Sequence, residues 1–289
     1  MSTDAGADFK DRLFAAVQLL LPTRLLSWCM FKLTRIQAPW FKNRFIRVFM
    51  RRFNISLAEA ESQRPESFPH FNAFFTRALK DGVRPLDADP RAMISPVDGA
   101  VSQLGAIRDE RIVQAKGREY SVLELLGGDK ETAKPFLNGS FCTIYLAPNN
   151  YHRIHMPLSG SLREWIYVPG RLFSVNHATA RAMPRLFARN ERVAAIFDTA
   201  RGPLAVVLVG ALFVGSMETV WSGLITPPHA RAGIARYQPM QPVVLARGAE
   251  LGRFNMGSTV ILLTAPGAMS WSSNLRSGAR VRMGMKIGT

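Results

Sequence analysis

The stretch FNMGSTVILL, residues 254–263, carries the main clue to the fold of this chain. Its second half, residues 260–263, consists of β-branched and bulky apolar residues, which favour a buried, pleated segment. Gly257 stands just before this run, although glycine weakens the interior of a strand. The stretch therefore predicts a buried strand that opens at a Gly-Ser-Thr step, and the glycine needs a reason other than packing.

Short apolar runs bounded by glycine, proline or asparagine occupy most of the chain before this strand. They are GAVSQLGAI, RIVQAKG, SFCTIYLAP, SLREWIYVPG, ERVAAIFDT, PLAVVLVGALFVGSMETVW and QPVVLARG. Several short strands separated by turn residues predict an antiparallel β sandwich or barrel. Helical patterns are few here, namely FNAFFTRAL, LELL and HATARAMPRLFARN. A chain of 289 residues, 47% of them hydrophobic, can bury an ordinary core around such a sheet.

The N-terminal part of the chain has a different pattern. From residue 13 to residue 58 there is no acidic residue, whereas Lys or Arg occurs at eight positions. These basic residues alternate with Leu, Phe, Trp and Met, which is typical of helices lying in the headgroup region of an anionic bilayer. We predict a helical membrane-associating segment over residues 1–65 and a β-rich domain over residues 66–289. The predicted fold class is α+β, with amphipathic helices before an antiparallel β core.

The net charge of the chain, +16, predicts an acidic partner. A membrane-spanning helix needs about 20 mostly apolar residues, and Pro22 and Arg24 interrupt the one candidate, so the segment is predicted to lie on a membrane. The alternatives are packing on the chain's own core or on RNA. No RNA-binding motif is present, so nucleic acid is not expected. The N-terminus lacks a positively charged region before its apolar run, so a secretory signal is not expected either.

Two polar clusters in the β-rich part are candidates for chemistry, and the first is NNYHRIHMP. It contains His152 and His155; the other histidines of the chain are His70, His177 and His229. Residues three apart on a strand turn their side chains to opposite faces, so the pair need not share a task. Zinc binding is not predicted, because no third ligand stands at a recognisable spacing.

The second polar cluster is SPVDGAV, residues 95–101. Proline followed by Asp-Gly is typical of a turn that opens a strand, in which case Asp98 would be exposed and without function. Alternatively, Asp98 is a carboxylate that orients a histidine, as the acid does in a Ser-His-Asp arrangement. The spacing alone leaves both interpretations open.

Taken in order, five motifs of the chain resemble one known family. They are SPVDGAV, YHRIHMPLSG, WIYVPGRLFSVN with LFARNERV after it, VGSMETVWSG and GRFNMGSTVI. This set closely resembles the phosphatidylserine decarboxylases, pyruvoyl-dependent enzymes that make phosphatidylethanolamine, and it covers nearly the whole chain. The family's usual Leu-Gly-Ser-Thr is Met-Gly-Ser-Thr at residues 256–259, a volume-conserving apolar change. The family's β-rich core agrees with the predicted strands.

The resemblance implies that the chain is a proenzyme that cuts itself between Gly257 and Ser258. The Ser258 hydroxyl attacks the carbonyl of Gly257, β-elimination of the resulting ester leaves a dehydroalanine, and water replaces its nitrogen, which leaves as ammonia, to give a pyruvoyl group. Glycine has no Cβ to obstruct this attack. By similarity, His155 is the base that activates Ser258 and Asp98 orients His155, since a serine hydroxyl needs an adjacent base. The large chain, 1–257, and the small chain, 258–289, are expected to stay associated.

The resemblance also implies the reaction of the cut enzyme. The pyruvoyl group derived from Ser258 forms a Schiff base with the amine of phosphatidylserine and accepts the electrons released with CO₂, a task that other enzymes give to pyridoxal phosphate. No metal is expected. By similarity, His152 carries out acid-base catalysis in the decarboxylation, and His155 is available for a second role. Asn176 and Glu218 are candidates for the pocket wall.

The predicted partners follow from this substrate. Phosphatidylserine stays in its bilayer, so we expect peripheral attachment to the cytoplasmic side of the cell membrane through the basic helices. Arg118 and Arg153 are candidates for contact with an anionic headgroup, although long basic side chains are usually solvated. Association into a homo-oligomer is left open.

Three other classes of protein are compatible with parts of the sequence. A Ser-His-Asp lipid hydrolase would use the same three residues, but it would carry Gly-x-Ser-x-Gly on a strand-to-helix turn, which this chain lacks. A non-enzymatic membrane-binding β domain would leave a single uncut chain. A pyruvoyl decarboxylase of soluble amino acids would not need the basic N-terminal segment.

Overall fold

The computed structural model describes residues 8–115, 117–213, 216–227, 233–257 and 259–289. Within these ranges the helices are α1 (Phe9–Leu20), α2 (Thr23–Leu33), α3 (Pro39–Phe53), α4 (Phe71–Phe75), α5 (Val122–Leu125), α6 (Lys130–Ala133), α7 (His177–Ala182) and α8 (Leu186–Arg189), with 3₁₀ turns at Pro65–Ser67 and Lys134–Phe136. The strands are β1 (Met93–Ile94), β2 (Gly99–Ala106), β3 (Arg111–Ala115), β4 (Arg118–Ser121), β5 (Ser140–Tyr145), β6 (Arg153–His155), β7 (Gly160–Val168), β8 (Arg192–Thr199), β9 (Gly202–Val209), β10 (Met217–Thr219), β11 (Gly223–Leu224), β12 (Ala235–Tyr237), β13 (Val244–Leu245), β14 (Glu250–Phe254), β15 (Thr259–Thr264), β16 (Arg280–Val281) and β17 (Lys286–Gly288).

A nine-stranded antiparallel sheet forms the centre of the β-rich part. Its order is β12-β7-β8-β9-β15-β5-β2-β16, and β13 also pairs with β7. The second half of the stretch quoted first belongs to β15, which pairs over all six residues with β5 on one side and with β9 on the other. All six residues are buried, because a continuous apolar run suits a strand covered on both faces.

Three smaller antiparallel sheets complete the β structure: β11-β10-β14-β6, β3-β4 and β1-β17. Every apolar run predicted as a strand contains one, so the α+β class with an antiparallel β-rich core is confirmed. Several strands outside the apolar runs were not predicted, among them β6, which lies inside a polar cluster, and β14, which contains two charged residues and Gly252. Both position the candidate site, since β6 carries the histidine cluster and β14 leads to Gly257.

Helices α1 and α2 turn polar residues toward the β-rich part and apolar residues away from it. Asp11 and Gln18 of α1 and Thr23 and Ser27 of α2 are buried. The exposed apolar side chains of the two helices are Phe9, Leu13, Phe14, Val17, Leu19, Leu20, Leu25, Trp28 and Leu33. The predicted amphipathic helices are confirmed, with the orientation opposite to that of a usual surface helix.

The length and apolar composition of α1 and α2 bear on whether they could cross a membrane. In the part of the chain that the structure describes, no single helix is long and apolar enough for a span. Together α1 and α2 meet the criteria of length and composition, but they are bent by 81° relative to each other.

Helix α3 belongs to a second, smaller core. Its Ile46 is fully buried, and the ring of Phe45 stacks on that of Phe71 at 4.2 Å between centroids. The buried residues of this core are Ile46, Ile55, Leu57, Ala60, Phe68, Phe71, Phe74 and Phe75. They come from both sides of the predicted boundary at residue 65, so α3 packs firmly on the beginning of the β-rich part. The division into two domains stays a prediction.

Candidate active site

Gly257 lies against the ring of His152. A Cβ added at position 257 would stand 2.5 Å from His152 Nε2, which is closer than real Cβ atoms approach any neighbour. Only glycine therefore fits here, and this contact accounts for the glycine before β15. Ser258 lies outside the described residues, and β15 begins immediately after it at Thr259.

His152 is fully buried, and its ring centroid lies 4.0 Å from that of Phe75. The backbone of Asn150 approaches the ring, but neither ring nitrogen forms a hydrogen bond of good geometry with a described residue. Burial, reinforced by the charge of Arg77, lowers the pKa of His152 to about 3. Buried polar atoms are nearly always paired, so ring nitrogens beside Gly257 that lack a well-formed hydrogen bond to any described residue indicate a chemical role. A neutral imidazole in this position can accept or return a proton.

His155, at the end of β6, is held by two hydrogen bonds. Its Nδ1 donates to the carbonyl oxygen of Gly248 at 2.7 Å, and the hydroxyl of Tyr151 donates to its Nε2 at 2.9 Å. Burial lowers the pKa of His155, and the hydrogen bond to Gly248 opposes this effect. The Gly248 carbonyl thus fixes the tautomer in which Nε2 is the proton acceptor.

Asp98 is buried at the start of β2, so the interpretation in which it is exposed does not hold. Its carboxylate accepts hydrogen bonds from Arg84 Nε at 3.0 and 3.2 Å, from Arg84 Nη2 at 2.6 Å and from the Met283 N–H at 2.8 Å. The expected hydrogen bond from the ring of His155 to Asp98 is not among these contacts, because Arg84 occupies the carboxylate and His155 Nδ1 donates to Gly248 O. The two residues are neighbours through the backbone, where the His155 N–H donates to Pro96 O at 2.8 Å.

The two histidines of the cluster occupy different places along β14. The Phe254 N–H donates to His152 O at 3.1 Å, whereas His155 pairs with Glu250. At about 3.3 Å per residue, their backbone positions are about 10 Å apart. The side chains of His152 and His155 share no hydrogen-bond partner among the described residues, which agrees with the opposite directions expected from their odd spacing. His152 is the one that contacts Gly257, and the separate roles assigned to His152, His155, Asp98 and Ser258 stay predictions.

An apolar cavity of about 340 Å³ lies between the N-terminal helices and the β core, with Gly257 in its wall. None of its described lining residues is charged. The lining residues are Met30, Phe45, Phe49, Phe53, Phe75, Tyr145, Leu146, Pro148, Ser174, Val175, Asn176, Ala211, Leu212, Phe213, Met256 and Gly257. A mostly apolar cavity with a few polar side chains suits a ligand that has both an apolar and a polar part.

Four further residues were proposed from sequence as pocket or headgroup contacts. Asn176 lines the cavity, but Glu218 does not, and it faces Arg253 on β14 at 3.9 Å. Arg153 is paired with Glu250 at 2.9 Å and donates to Thr76 O, while Arg118 donates to Arg181 O. Both arginines therefore have partners within the chain, and neither lines the cavity.

The remaining histidines do not line the cavity or lie outside the described part. His70 caps α4 by accepting a hydrogen bond from the Ala73 N–H at 3.1 Å, and His177 is the exposed first residue of α7. His229 lies outside the described residues. Across the described ranges, no three His, Cys, Asp or Glu side chains come close enough together to hold a metal ion.

The phenylalanines of α3 are cavity residues that the sequence did not reveal. Phe45, Phe49 and Phe53 line the cavity, although the sequence suggested that this helix faces a membrane. Their spacing of four residues places them on one helix face, and this spacing was the feature of the sequence that could have grouped them. The pattern indicated a shared apolar face but not what that face would contact.

Comparison with known proteins defines the class of this chain. A sequence model described as phosphatidylserine decarboxylase matches residues 71–289, and a second, described as PSD, matches residues 13–54. The first match alone covers more than half of the chain and includes β1 through β17. The chain is therefore an enzyme of a decarboxylase class.

Individual relatives carry the name phosphatidylserine decarboxylase proenzyme. The protein of Pseudomonas fluorescens is 55% identical over 281 residues, which are 96% of this chain and 98% of that protein. The protein of Pseudomonas aeruginosa is 55% identical over 278 residues, 96% of each chain. That of Pseudomonas entomophila is 56% identical over 277 residues, 95% of this chain and 96% of its own. This chain belongs to the phosphatidylserine decarboxylase family, and the resemblance seen in its motifs is confirmed.

Proposed function

We propose that this chain is a proenzyme that cuts itself between Gly257 and Ser258 and then converts phosphatidylserine to phosphatidylethanolamine and CO₂. The observation that carries the proposal is the position of Gly257, which lies both against the buried ring of His152 and in the wall of the apolar cavity. A chain end created at this point is exposed to a proton-transfer group and to a lipid-sized space at once. The proenzyme name of the relatives supports the cut.

The surroundings of Gly257 suit a small carbonyl group derived from the next residue, Ser258. The ring of His152 lies against Gly257 without a well-formed hydrogen bond to a described residue, and the adjacent cavity is mostly apolar. A pyruvoyl group supplies the electron sink that loss of CO₂ from an α-amino acid requires. The lowered pKa of His152, about 3, keeps its ring neutral at neutral pH. In that form His152 can accept a proton in one step and return it in a later one.

For the cut itself, we assign Asp98, His155 and Ser258 as the acting residues. The hydrogen bond to Gly248 leaves His155 Nε2 as a proton acceptor. Arg84 and the Met283 amide fix Asp98 beside residue 96, whose carbonyl binds the His155 backbone. The contact between Tyr151 and His155 Nε2 would have to open, or Tyr151 would have to relay the proton from Ser258.

His155→Ala and His152→Ala separate these assignments. We expect the His155→Ala chain to remain whole, because the cut lacks its base. The His152→Ala chain should cut itself but release little CO₂ from phosphatidylserine. Denaturing gels report the cut and CO₂ release reports the reaction. The opposite result, an uncut His152→Ala chain beside a cut His155→Ala chain, would exchange the two roles.

We further propose that the N-terminal helices bind the enzyme peripherally to the cytoplasmic face of the cell membrane. Their outward surface is apolar, and the eight basic residues between positions 13 and 58 have no acidic neighbour in sequence. Each basic residue near an anionic surface adds about 1 kcal/mol of attraction. Met30 of α2 and Phe45 of α3 also line the cavity, so a lipid at Gly257 contacts the same helices that contact the bilayer.

The decisive experiment is the intact mass of the purified protein under denaturing conditions, beside a Ser258→Ala variant. We expect two wild-type chains that divide at Gly257–Ser258, the smaller one lighter by one ammonia than hydrolysis would give. The Ser258→Ala chain should stay whole. A small chain with the mass of a free N-terminal serine would contradict the pyruvoyl group, and a single uncut wild-type chain would contradict self-cleavage.

A further inference from the structure

One buried side chain of α1, that of Gln18, is bonded to the polar wall of the cavity. Gln18 is only 2% exposed, although it belongs to a helix with an exposed apolar face. Its Oε1 accepts a hydrogen bond from the Ser174 N–H at 2.7 Å, and its Nε2 donates to Thr179 Oγ1 at 3.2 Å and to Phe14 O at 3.3 Å. Ser174 lines the cavity. Helix α1, whose apolar face points away from the β core, therefore fixes part of the cavity lining through its buried polar face.

Thr179 extends this contact to Asn176, which also lines the cavity. The N–H and the hydroxyl of Thr179 both donate to Asn176 Oδ1, at 2.9 and 3.0 Å. Both contacts fix the orientation of the amide, because its oxygen is fully engaged. The Asn176 Nδ2 makes no hydrogen bond within the described residues, so it is the donor left for a ligand.

The polar wall of the cavity consists of Tyr145, Ser174 and Asn176. Every other described lining residue is apolar or glycine. A phospholipid headgroup carries anionic oxygens that need hydrogen-bond donors once they leave water. In this cavity those donors are the Asn176 amide and the hydroxyls of Ser174 and Tyr145.

We propose that Gln18 is a positioning residue for the anionic oxygens of the substrate headgroup. It acts through Ser174 and Asn176, and the proposal rests on the proposed decarboxylase function. Loss of the Gln18 amide would leave the Ser174 N–H unpaired and remove the donor that orients the Thr179 hydroxyl toward Asn176. Helix α1 thus has two separate tasks on two faces, membrane contact outside and alignment of the headgroup wall inside.

Two other contacts tie α1 to the same stretch of chain without involving the wall. Asp11 pairs with Arg181 at 2.8 Å, and Arg171 Nη2 donates to Leu19 O at 3.1 Å. These contacts hold the helix in place when Gln18 is replaced. Asp11→Asn is therefore a matched control that loosens α1 without touching Ser174 or Asn176.

The test variant is Gln18→Met, which keeps the length of the side chain. It is compared with Asp11→Asn and with Leu20→Ser, which replaces a side chain that is 87% exposed. Each cut enzyme is assayed on short-chain phosphatidylserine in detergent micelles and tested for binding to phosphatidylserine-containing vesicles. For Gln18→Met we expect KM in micelles to rise roughly ten-fold while kcat changes less than about two-fold. Its self-cleavage and vesicle binding should match the wild type. Leu20→Ser should show the reverse, with weaker vesicle binding and unchanged KM.

Three results would overturn the proposal. One is a KM of Gln18→Met equal to that of the wild type. Another is an equal loss of self-cleavage, thermal stability and kcat in Gln18→Met, which would show that Gln18 is only a structural residue. The third is the same KM increase in Asp11→Asn. If Gln18→Met is insoluble, Thr179→Val removes the hydroxyl that connects Gln18 with Asn176 while keeping the backbone N–H, and it must raise KM in the same direction. Failure of wild-type enzyme to release CO₂ would instead contradict the proposed function, and the wild-type assay shows it before any variant is compared.

Discussion

Helix α1 and strand β15 contain similar apolar residues and place them in opposite environments. All six residues of β15 are buried between two neighbouring strands. In α1, Phe9 and Leu20 are 78% and 87% exposed, while Asp11 and Gln18 are buried. The polar residues of α1 have hydrogen-bond partners on the β-rich part, and satisfying them turns the apolar face outward. The comparison shows that the position of polar partners, more than apolar content, decides which face of an element is covered.

The largest difference between these two regions should appear on truncation of a leucine. In the uncut Ser258→Ala chain, Leu262→Ala removes a fully buried side chain from the centre of the sheet. We expect the free energy of unfolding to fall by about 2–5 kcal/mol. Leu20→Ala, made in the same background, should change it by less than about 0.5 kcal/mol. Urea unfolding measures both, and equal losses would show that α1 is covered in solution.

The buried residue His152 should make the free energy of unfolding depend on pH. The pKa of His152 is lowered from 6.5 to about 3, mainly by burial. Between these values the unfolded chain binds a proton that the folded chain does not, so the free energy of unfolding decreases as pH falls below about 6.5. At pH 5 this contribution is a loss of about 2 kcal/mol.

His152→Leu in the Ser258→Ala background should therefore lose less stability than its parent between pH 7.5 and pH 5. Unfolding in urea at the two pH values measures the difference. His177→Leu is the comparison variant: burial and the charge of Arg181 also lower the pKa of His177, but it lies at an exposed position, so its removal should change the pH dependence in the same direction and by less. An identical pH dependence in His152→Leu and the parent would mean that His152 is charged or solvated in the folded chain.

The exposed face of α1 should affect membrane binding rather than stability. Phe9→Ser combined with Leu20→Ser removes two outward apolar side chains. We expect binding to phosphatidylserine-containing vesicles to weaken about ten-fold, since each side chain contributes part of its transfer free energy. Sedimentation with vesicles measures this, and the melting temperature serves as the control. Unchanged binding would remove α1 from the membrane contact.

The smallest effect is expected on the inner face of α1. The side chains of Asp11 and Arg181 are 10% and 28% exposed, so their ion pair is partly screened by water. Asp11→Asn should reduce the free energy of unfolding by about 1 kcal/mol or less. Vesicle binding should not change, because Asp11 faces the β-rich part. A larger loss in vesicle binding than in stability would contradict the two-faced description of α1.

Much of the fold could be predicted from the sequence because its strands are continuous apolar runs. Residues 260–263 have no polar side chain, so only a strand covered on both faces suits them. The order of the sheet could not be predicted, since pairs such as β2 with β5 and β9 with β15 depend on contacts far apart in the chain. Strand β6 was missed because it is three residues long and lies in a polar motif.

The candidate site was only partly accessible from the sequence. The motifs identified His152, His155, Asp98 and the Gly257–Ser258 step, and the family they indicated is confirmed. The partners of these residues were not accessible, because they come from distant segments. Arg84 takes the carboxylate of Asp98, and no local pattern signals such a long-range ion pair.

The place of β15 has a consequence for the lifetime of the enzyme. Under the proposed chemistry, the reactive group is the first residue of a chain whose strand runs through the middle of the largest sheet. Such a group cannot be exchanged with a pool of free cofactor, and the serine that formed it is consumed. A side reaction that destroys this group therefore inactivates the whole molecule permanently. Activity lost in this way returns only through synthesis of new protein, so the capacity for making the lipid follows the rate of translation.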